Sequence, residues 1–177
     1  ALFAKFGLNP KLFSSIFFVS SLIVIGFIDS EHQIVPNRLI VPLIITSFIF
    51  LFILLLSENS NILPLIGKQK TVYSIYGFLL AGGFLTIIAI IKEGGMGGGD
   101  IKLAAFMGIF LGFYVVIALF VAFIIGGIAG ILLILSNKKN RKDLIPFGPY
   151  LCFSSLVTIF WGQEILNIYL RATGLGT

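Results

Sequence analysis

Two aspartates stand at the edges of apolar segments, where a membrane protein keeps few charges. Asp29 directly follows the apolar run 23–28, and Asp100 follows the glycine-rich run 94–99 and precedes another apolar segment. Two neighbouring carboxylates cannot both ionise cheaply, so they share a proton, and one can act as a base while the other acts as an acid. Such a pair can activate water to hydrolyse a peptide bond.

Each aspartate also has a purely structural interpretation. Asp100 could be the N-cap of the helix that follows it, since aspartate is a favoured capping residue. Asp29 could simply mark the end of an apolar span. The two together are harder to explain in this way, because the dense glycines before Asp100 permit close approach of a substrate or another helix. We therefore take Asp29 and Asp100 as the candidate catalytic residues.

The composition is that of an integral membrane protein. Hydrophobic residues make up 58% of the 177 residues and charged residues only 11%, which is too apolar for the surface of a soluble domain. One cysteine and one histidine cannot supply a zinc site or an intrachain disulfide, so we expect no metal and no cofactor. The net charge of +5 reflects basic residues beside apolar runs, which indicates membrane topology and not nucleic-acid binding.

The apolar segments predict a single all-α domain over 1–177, a polytopic membrane protein of about six transmembrane helices. A helix needs roughly 20 residues to cross the hydrocarbon core, and a helix keeps its backbone hydrogen-bonded there. The uncharged stretch 103–137 is too long for one span, so we divide it at Gly112-Phe113 into two helices joined by a tight turn. The spans are expected at about 12–28, 39–57, 72–91, 101–113, 115–136 and 147–165.

Loop charges predict which side of the membrane carries the aspartates. With six spans, the segments 29–38, 92–102 and 136–143 share one side and hold seven of the twelve basic residues, including a cluster at 138–142. Short basic loops stay in the cytoplasm. We therefore expect a multi-pass protein of the inner membrane, in contact with the lipid bilayer, whose two aspartates face the cytoplasm.

Three segments resemble the type IV prepilin peptidases. Residues 29–37, Asp-Ser-Glu-His-Gln-Ile-Val-Pro-Asn, look like the family's first active-site segment. Residues 95–102, Gly-Met-Gly-Gly-Gly-Asp-Ile-Lys, resemble its Gly-x-Gly-Asp segment, and residues 145–150, Ile-Pro-Phe-Gly-Pro-Tyr, are similar to the start of its last helix. Order and spacing agree over about 12–165, nearly the whole chain.

The resemblance implies a membrane-embedded aspartic endopeptidase with Asp29 and Asp100 as its catalytic residues. Its substrate would be a prepilin or pseudopilin, which has a short basic leader followed by a long apolar helix. The cut would fall at the junction of leader and helix, on the cytoplasmic side. Gly97 and Gly99 would belong to the loop beside Asp100.

Other residues near the aspartates are candidates for binding substrate or supporting the loop. Lys102 could steady the neighbouring carboxylate or contact a lipid phosphate. Glu31 and Glu93 could attract a basic leader electrostatically. Pro36 and Asn37 are expected to form the turn into the second span.

Two other functions stay open on the sequence alone. A presenilin-like intramembrane protease also uses Gly-x-Gly-Asp, but its first aspartate normally lies in mid-helix, whereas Asp29 ends an apolar run and precedes a nine-residue polar loop. A small ion- or proton-coupled transporter could bind or relay cations with both aspartates. The interiors of the predicted spans offer mainly serine and threonine for such a path.

One segment typical of the resembled family does not occur in this sequence. Many bacterial members carry, ahead of this region, a cytoplasmic segment with paired Cys-x-x-Cys motifs that methylates the new N-terminus, and this sequence has the single cysteine Cys152. We therefore expect either the peptidase core of a longer enzyme or a member of a shorter, cleavage-only branch.

Overall fold

The computed structural model describes residues 2–6, 10–56, 63–66, 71–91, 96–136 and 146–174. The helices are α1 (Leu2–Phe6), α2 (Pro10–His32), α3 (Asn37–Leu56), α4 (Val72–Ile91), α5 (Gly98–Leu111), α6 (Val115–Leu135) and α7 (Gly148–Ala172), with a 3-10 turn at Gly112–Tyr114. These ranges contain no strand, so the predicted all-α class is confirmed.

Five helical segments of the described chain are long and apolar enough to cross a membrane, and the fourth contains both α5 and α6. This segment reverses at Gly112, whose φ of 58° is left-handed and suits glycine. Ala105 of α5 lies against Gly82 of α4. Two residues along α4, Phe84 meets Phe123 of α6 with 6.3 Å between ring centroids. Since α4 contacts both arms at one level, the chain makes about six passes, as predicted.

Helices α4 and α5 approach each other most closely at two glycines. A Cβ on Gly77 would lie 2.7 Å from the carbonyl oxygen of Gly112 and would also overlap the carbonyl of Gly108. A Cβ on Gly108 would lie 2.6 Å from the backbone nitrogen of Phe78. Small residues let two helix backbones touch in this way. The contact holds α5 at the centre of the bundle, where residues 103–111 are all buried.

Aromatic rings join α2 to the buried α5. Phe18 stacks on Phe110 with 4.5 Å between ring centroids and contacts Phe106 at 5.5 Å. At the same end of α5, the amide of Leu65 donates to the carbonyl oxygen of Phe110 at 2.8 Å. The buried segment 63–66 therefore closes the end of the bundle that lies away from Asp100.

Helix α2 continues beyond the apolar run that marks its span. It extends to His32, so Asp29 lies inside its last turn and not behind the helix. The helix ends where Gln33 adopts a φ of 54° and its N–H donates to the carbonyl oxygen of Asp29 at 2.9 Å. The expected nine-residue loop was therefore wrong, since only residues 33–36 join α2 to α3. An existing helix gains a hydrogen bond with each added residue, so it does not stop where hydrophobicity stops.

Replacing Gly77 or Gly108 by alanine is expected to destabilise the protein by roughly 1–3 kcal/mol, the usual effect of overpacking, because each new Cβ overlaps backbone. Thermal unfolding in detergent measures the change. Gly83→Ala is the matched control on α4, since its Cβ would meet no atom within 4 Å. Equal melting temperatures for Gly77→Ala and Gly83→Ala would contradict the close approach of α4 and α5.

Candidate active site

The site lies where α2 ends and where α5 and α7 begin. Asp29, in the last turn of α2, is only 3% exposed. A Cβ on Gly148, the first residue of α7, would overlap its carboxylate. One turn away, a Cβ on Gly26 would lie 3.4 Å from the Cβ of Cys152. The two helices therefore run antiparallel in direct contact, with Asp29 against the first turn of α7.

The carboxylate of Asp29 has backbone as its polar neighbour. The amide of Gly148 interacts with it as a hydrogen-bond donor. Burial disfavours a negative charge on Asp29, and the partial positive charge at the start of α7 offsets part of that cost. Its Oδ2 is buried without a hydrogen-bond partner among the described residues. An unsatisfied buried oxygen is costly, which is typical of a group that accepts a proton or a ligand atom during function.

Asp100 occupies the third position of α5. Gly97 is the N-cap, with extended backbone (φ −69°, ψ 137°), and the N–H of Asp100 donates to its carbonyl oxygen at 3.1 Å. The amide of Gly97 interacts in return with the Asp100 carboxylate. The acidic residue of a capping box folds back over its helix N-terminus in the same way. Asp100 is thus not the N-cap itself, although its carboxylate takes part in capping α5.

The two carboxylates lie within electrostatic range of each other at one end of the bundle. Asp29 and Asp100 repel one another, and both act on the thiol of Cys152. Loop topology predicts that the two aspartates share a side, and the structure places them there. A negative charge on Asp29 therefore opposes ionisation of the Asp100 carboxyl group.

Three of the other predicted site residues, Gly99, Lys102 and Asn37, join α5 to the start of α3 or to the connection before it, and a fourth, Pro36, caps α3. A Cβ on Gly99 would lie 2.7 Å from the Cβ of Val35, so this glycine lets α5 pack on the connection between α2 and α3. Lys102 donates to Oδ1 of Asn37 at 2.6 Å, which directs its ammonium group to α3. The carbonyl oxygen of Pro36 accepts two hydrogen bonds from the first turn of α3. These contacts fix the position of α5, and hence of Asp100, relative to α3.

The structure describes one of the two acidic residues that were proposed to attract a leader. Glu31 is exposed on the last turn of α2, two residues beyond Asp29. Glu93 and the basic cluster 138–142 lie outside the described residues.

Across the described part of the chain, no three His, Cys, Asp or Glu side chains group in a metal-binding arrangement.

Gly148 is the site residue that sequence reasoning missed. It belongs to the segment 145–150, whose resemblance to the start of the family's last helix assigns no role to this glycine. The sequence signal for this role is the glycine directly before Pro149. Pro149 by itself is enough to begin a helix there, so the glycine needs a separate explanation. A side chain at position 148 would take the space of the Asp29 carboxylate. Only the packing of α2 on α7 reveals this role.

Comparison with known proteins identifies the family of the chain. The model of the type IV leader peptidase family matches residues 16–133. The chain belongs to this family. The matched range includes both aspartates and ends before α7. Together with the apolar helices, it makes the chain a multi-pass protein of the inner membrane.

Similar proteins from several bacteria bear the name prepilin leader peptidase/N-methyltransferase. The one from Legionella pneumophila is 34% identical over 93% of this chain and 55% of its own length. Those from Bacillus subtilis and Pseudomonas aeruginosa are 30% and 25% identical, over 94% and 96% of this chain and 63% and 56% of their own lengths. The chain thus spans little more than half the length of these relatives. No solved structure matches it significantly.

Gly148→Ala is expected to destabilise the protein because the added methyl overlaps the Asp29 carboxylate. Most of the loss should disappear in an Asp29→Ala background, where Cγ and Oδ2 are absent. A double-mutant cycle on unfolding in detergent should give a coupling of at least about 1 kcal/mol, as for other side chains in contact. Gly127→Ala, whose Cβ would meet nothing within 4 Å, should be additive with Asp29→Ala. Additivity for Gly148→Ala as well would contradict the contact.

Proposed function

We propose that this chain is the peptidase part of a prepilin-processing enzyme. It is a membrane-embedded aspartic endopeptidase that cuts the basic leader from type IV prepilins or pseudopilins at the cytoplasmic membrane face. The observation that carries the proposal is the pairing of Asp29 with Asp100 at the meeting point of three helix ends. Membership of the type IV leader peptidase family and the names of the relatives support leader cleavage over the intramembrane-protease and transporter alternatives.

The pair would act with one carboxyl ionised and the other protonated. The ionised group takes a proton from water as the water oxygen attacks the scissile carbonyl carbon, and the protonated group donates its proton to the carbonyl oxygen. The resulting diol then returns one proton to a carboxylate, and the other carboxyl protonates the leaving amine as the C–N bond breaks. One proton remains on the pair, so the site is ready for another cycle.

Backbone amides keep the two carboxyl groups oriented while protons move. The amide of Gly148 serves Asp29 and the amide of Gly97 serves Asp100. Neither amide titrates, so both interactions persist in every protonation state of the pair. Fixed dipoles of this kind need no rearrangement during the reaction, which is the main source of electrostatic catalysis.

The position of the pair suits a cut at the membrane surface. Asp29 lies in the last turn of α2 and Asp100 in the first turn of α5, so the reacting bond would lie at the end of the bundle and not at mid-bilayer. The predicted basic loops assign this end to the cytoplasm. Exposed Glu31 supplies a negative charge that can attract a basic leader there.

Asp29→Asn and Asp100→Asn are each expected to lower the cleavage rate at least about 100-fold, because each removes one partner in proton transfer. The assay follows cleavage of a prepilin by the purified protein in liposomes, with melting temperatures recorded to show that the variants fold. Glu164→Gln is the control, since this exposed carboxylate lies near the opposite end of α7. Full activity in either aspartate variant would rule out the pair.

The cleavage rate of the wild-type protein is expected to pass through a maximum as pH varies. At low pH both carboxyl groups are protonated and no base is present, and at high pH both are ionised and no acid is present. Each limb should approach a tenfold fall in kcat/KM per pH unit, as for a single titration. Glu164→Gln should keep both limbs unchanged. A rate that rises to a plateau without falling again would contradict the shared proton.

A further inference from the structure

An apolar groove separates α2 from α3. These helices are consecutive in the chain, yet they scarcely approach each other, because α2 packs on α7 and α3 packs on α5. Two cavities of about 530 and 260 Å³ lie in the gap and share Phe17 and Thr46. Phe110 of the buried α5 forms the floor, with its ring 6.1 Å from that of Phe17. We call these two neighbouring cavities together the α2–α3 groove.

The groove begins at the connection between α2 and α3, which supports the start of α5, and runs along the bundle. Its first cavity is lined by Pro36 and Arg38, at the start of α3, and its second by Phe50. At 1.5 Å per helical residue, the distance from Pro36 to Phe50 is about 21 Å, most of a hydrocarbon core. Pro36 directly follows Val35, the residue against which Gly99 packs, and Gly99 precedes Asp100.

The walls of the groove are apolar even where the sequence has hydroxyl groups. Thr46 donates to the carbonyl oxygen of Pro42 at 2.9 Å, and Ser47 donates to that of Leu43 at 2.6 Å. Because both hydroxyls bond to their own helix, the groove offers few hydrogen-bond donors beyond Arg38 at its mouth. Phe13 and Phe50, at the far end, are 71% and 36% exposed. Such a surface suits an apolar occupant.

A polypeptide that enters the bilayer must be helical, because its backbone finds no other hydrogen-bond partner there. In the proposed function, the bond held between Asp29 and Asp100 has two kinds of flank, a polar one outside the membrane and an apolar helix inside it. The mouth of the groove lies beside the connection that supports the start of α5, and its length of about 21 Å matches about 14 residues of such a helix.

We infer that the α2–α3 groove receives the apolar helix of the substrate and holds it while the bond next to that helix is cut. The inference rests on the proposed peptidase function and adds to it the surface that recognises the membrane part of the substrate. Binding is lateral, from the bilayer, because both walls of the groove are membrane-spanning helices.

A second groove, between α6 and α7, provides the contrast. It has a volume of about 680 Å³ and is lined by Tyr114, Val116, Ile165 and Tyr169, among others. Along α7, Ile165 is about 26 Å from Gly148, at 1.5 Å per residue, so this groove opens at the end away from the aspartates. A helix held there could not present its polar end to the site.

The test fills each groove with a tryptophan and compares two substrates. Thr46→Trp and, independently, Leu43→Trp obstruct the α2–α3 groove, and Val116→Trp obstructs the α6–α7 groove as the matched control. One substrate is a full-length prepilin, and the other is a short peptide that covers the leader junction without the apolar helix. Melting temperatures show whether each variant folds.

The expected result is a fall of at least about tenfold in kcat/KM for the full-length prepilin, mainly through KM, because a binding surface has been lost. The short peptide should be cut at an unchanged rate, and Val116→Trp should affect neither substrate. An equal fall for both substrates would assign the groove to a lipid acyl chain or to folding, and would overturn the inference. A change from dimer to monomer in Thr46→Trp would assign the groove to a second copy of the chain.

A crosslinking measurement tests substrate binding in the groove independently of cleavage. A photoreactive benzoylphenylalanine replaces Phe50 or, as the control, Phe120 on α6, both in the Asp29→Asn background. Full-length prepilin should crosslink at position 50 and not at position 120. Absence of a crosslink at 50 would overturn the inference even if the wild-type protein cuts prepilin. If the wild-type protein cuts neither substrate, the proposed peptidase function fails, whatever crosslinks form.

Discussion

A carboxylate buried inside a membrane protein needs a polar partner that the bilayer cannot supply, and Asp29 obtains it from the backbone. The N–H of Gly148 is available because the first amides of a helix have no intrahelical acceptor. The partner can approach only because residue 148 lacks a side chain. The end of α2 and the start of α7 must therefore lie in contact, and the other helices pack around that contact.

The second carboxylate reaches the site through the placement of α5. This helix has only 14 residues and reverses at Gly112, so it is shorter than the spans around it. Backbone contact between Gly77 and Gly108 holds it against α4, and the bond from Lys102 to Asn37 ties its beginning to α3. None of these contacts involves the side chain of Asp100, yet together they determine where its carboxylate stands.

The short connection between α2 and α3 links the site to the groove. Val35 supports the start of α5 beside Asp100, and the next residue, Pro36, lines the mouth of the groove. In the proposed function, the polar and apolar parts of one substrate meet at this connection. A bond at the junction of a leader and a membrane helix would thus be selected by position, with the helix held on one side and the aspartates on the other.

The sequence by itself determined the all-helical class, the number of passes, the reversal near Gly112 and the shared side of Asp29 and Asp100. These follow from constraints that act locally, because each apolar segment must become a helix in lipid and an even number of passes returns the chain to the same side. Only the tertiary structure decided that Asp29 lies within a helix, that Gly148 is its neighbour and that α2 stands apart from α3. Those features depend on how helices distant in sequence pack, and hydrophobicity alone does not say which faces meet.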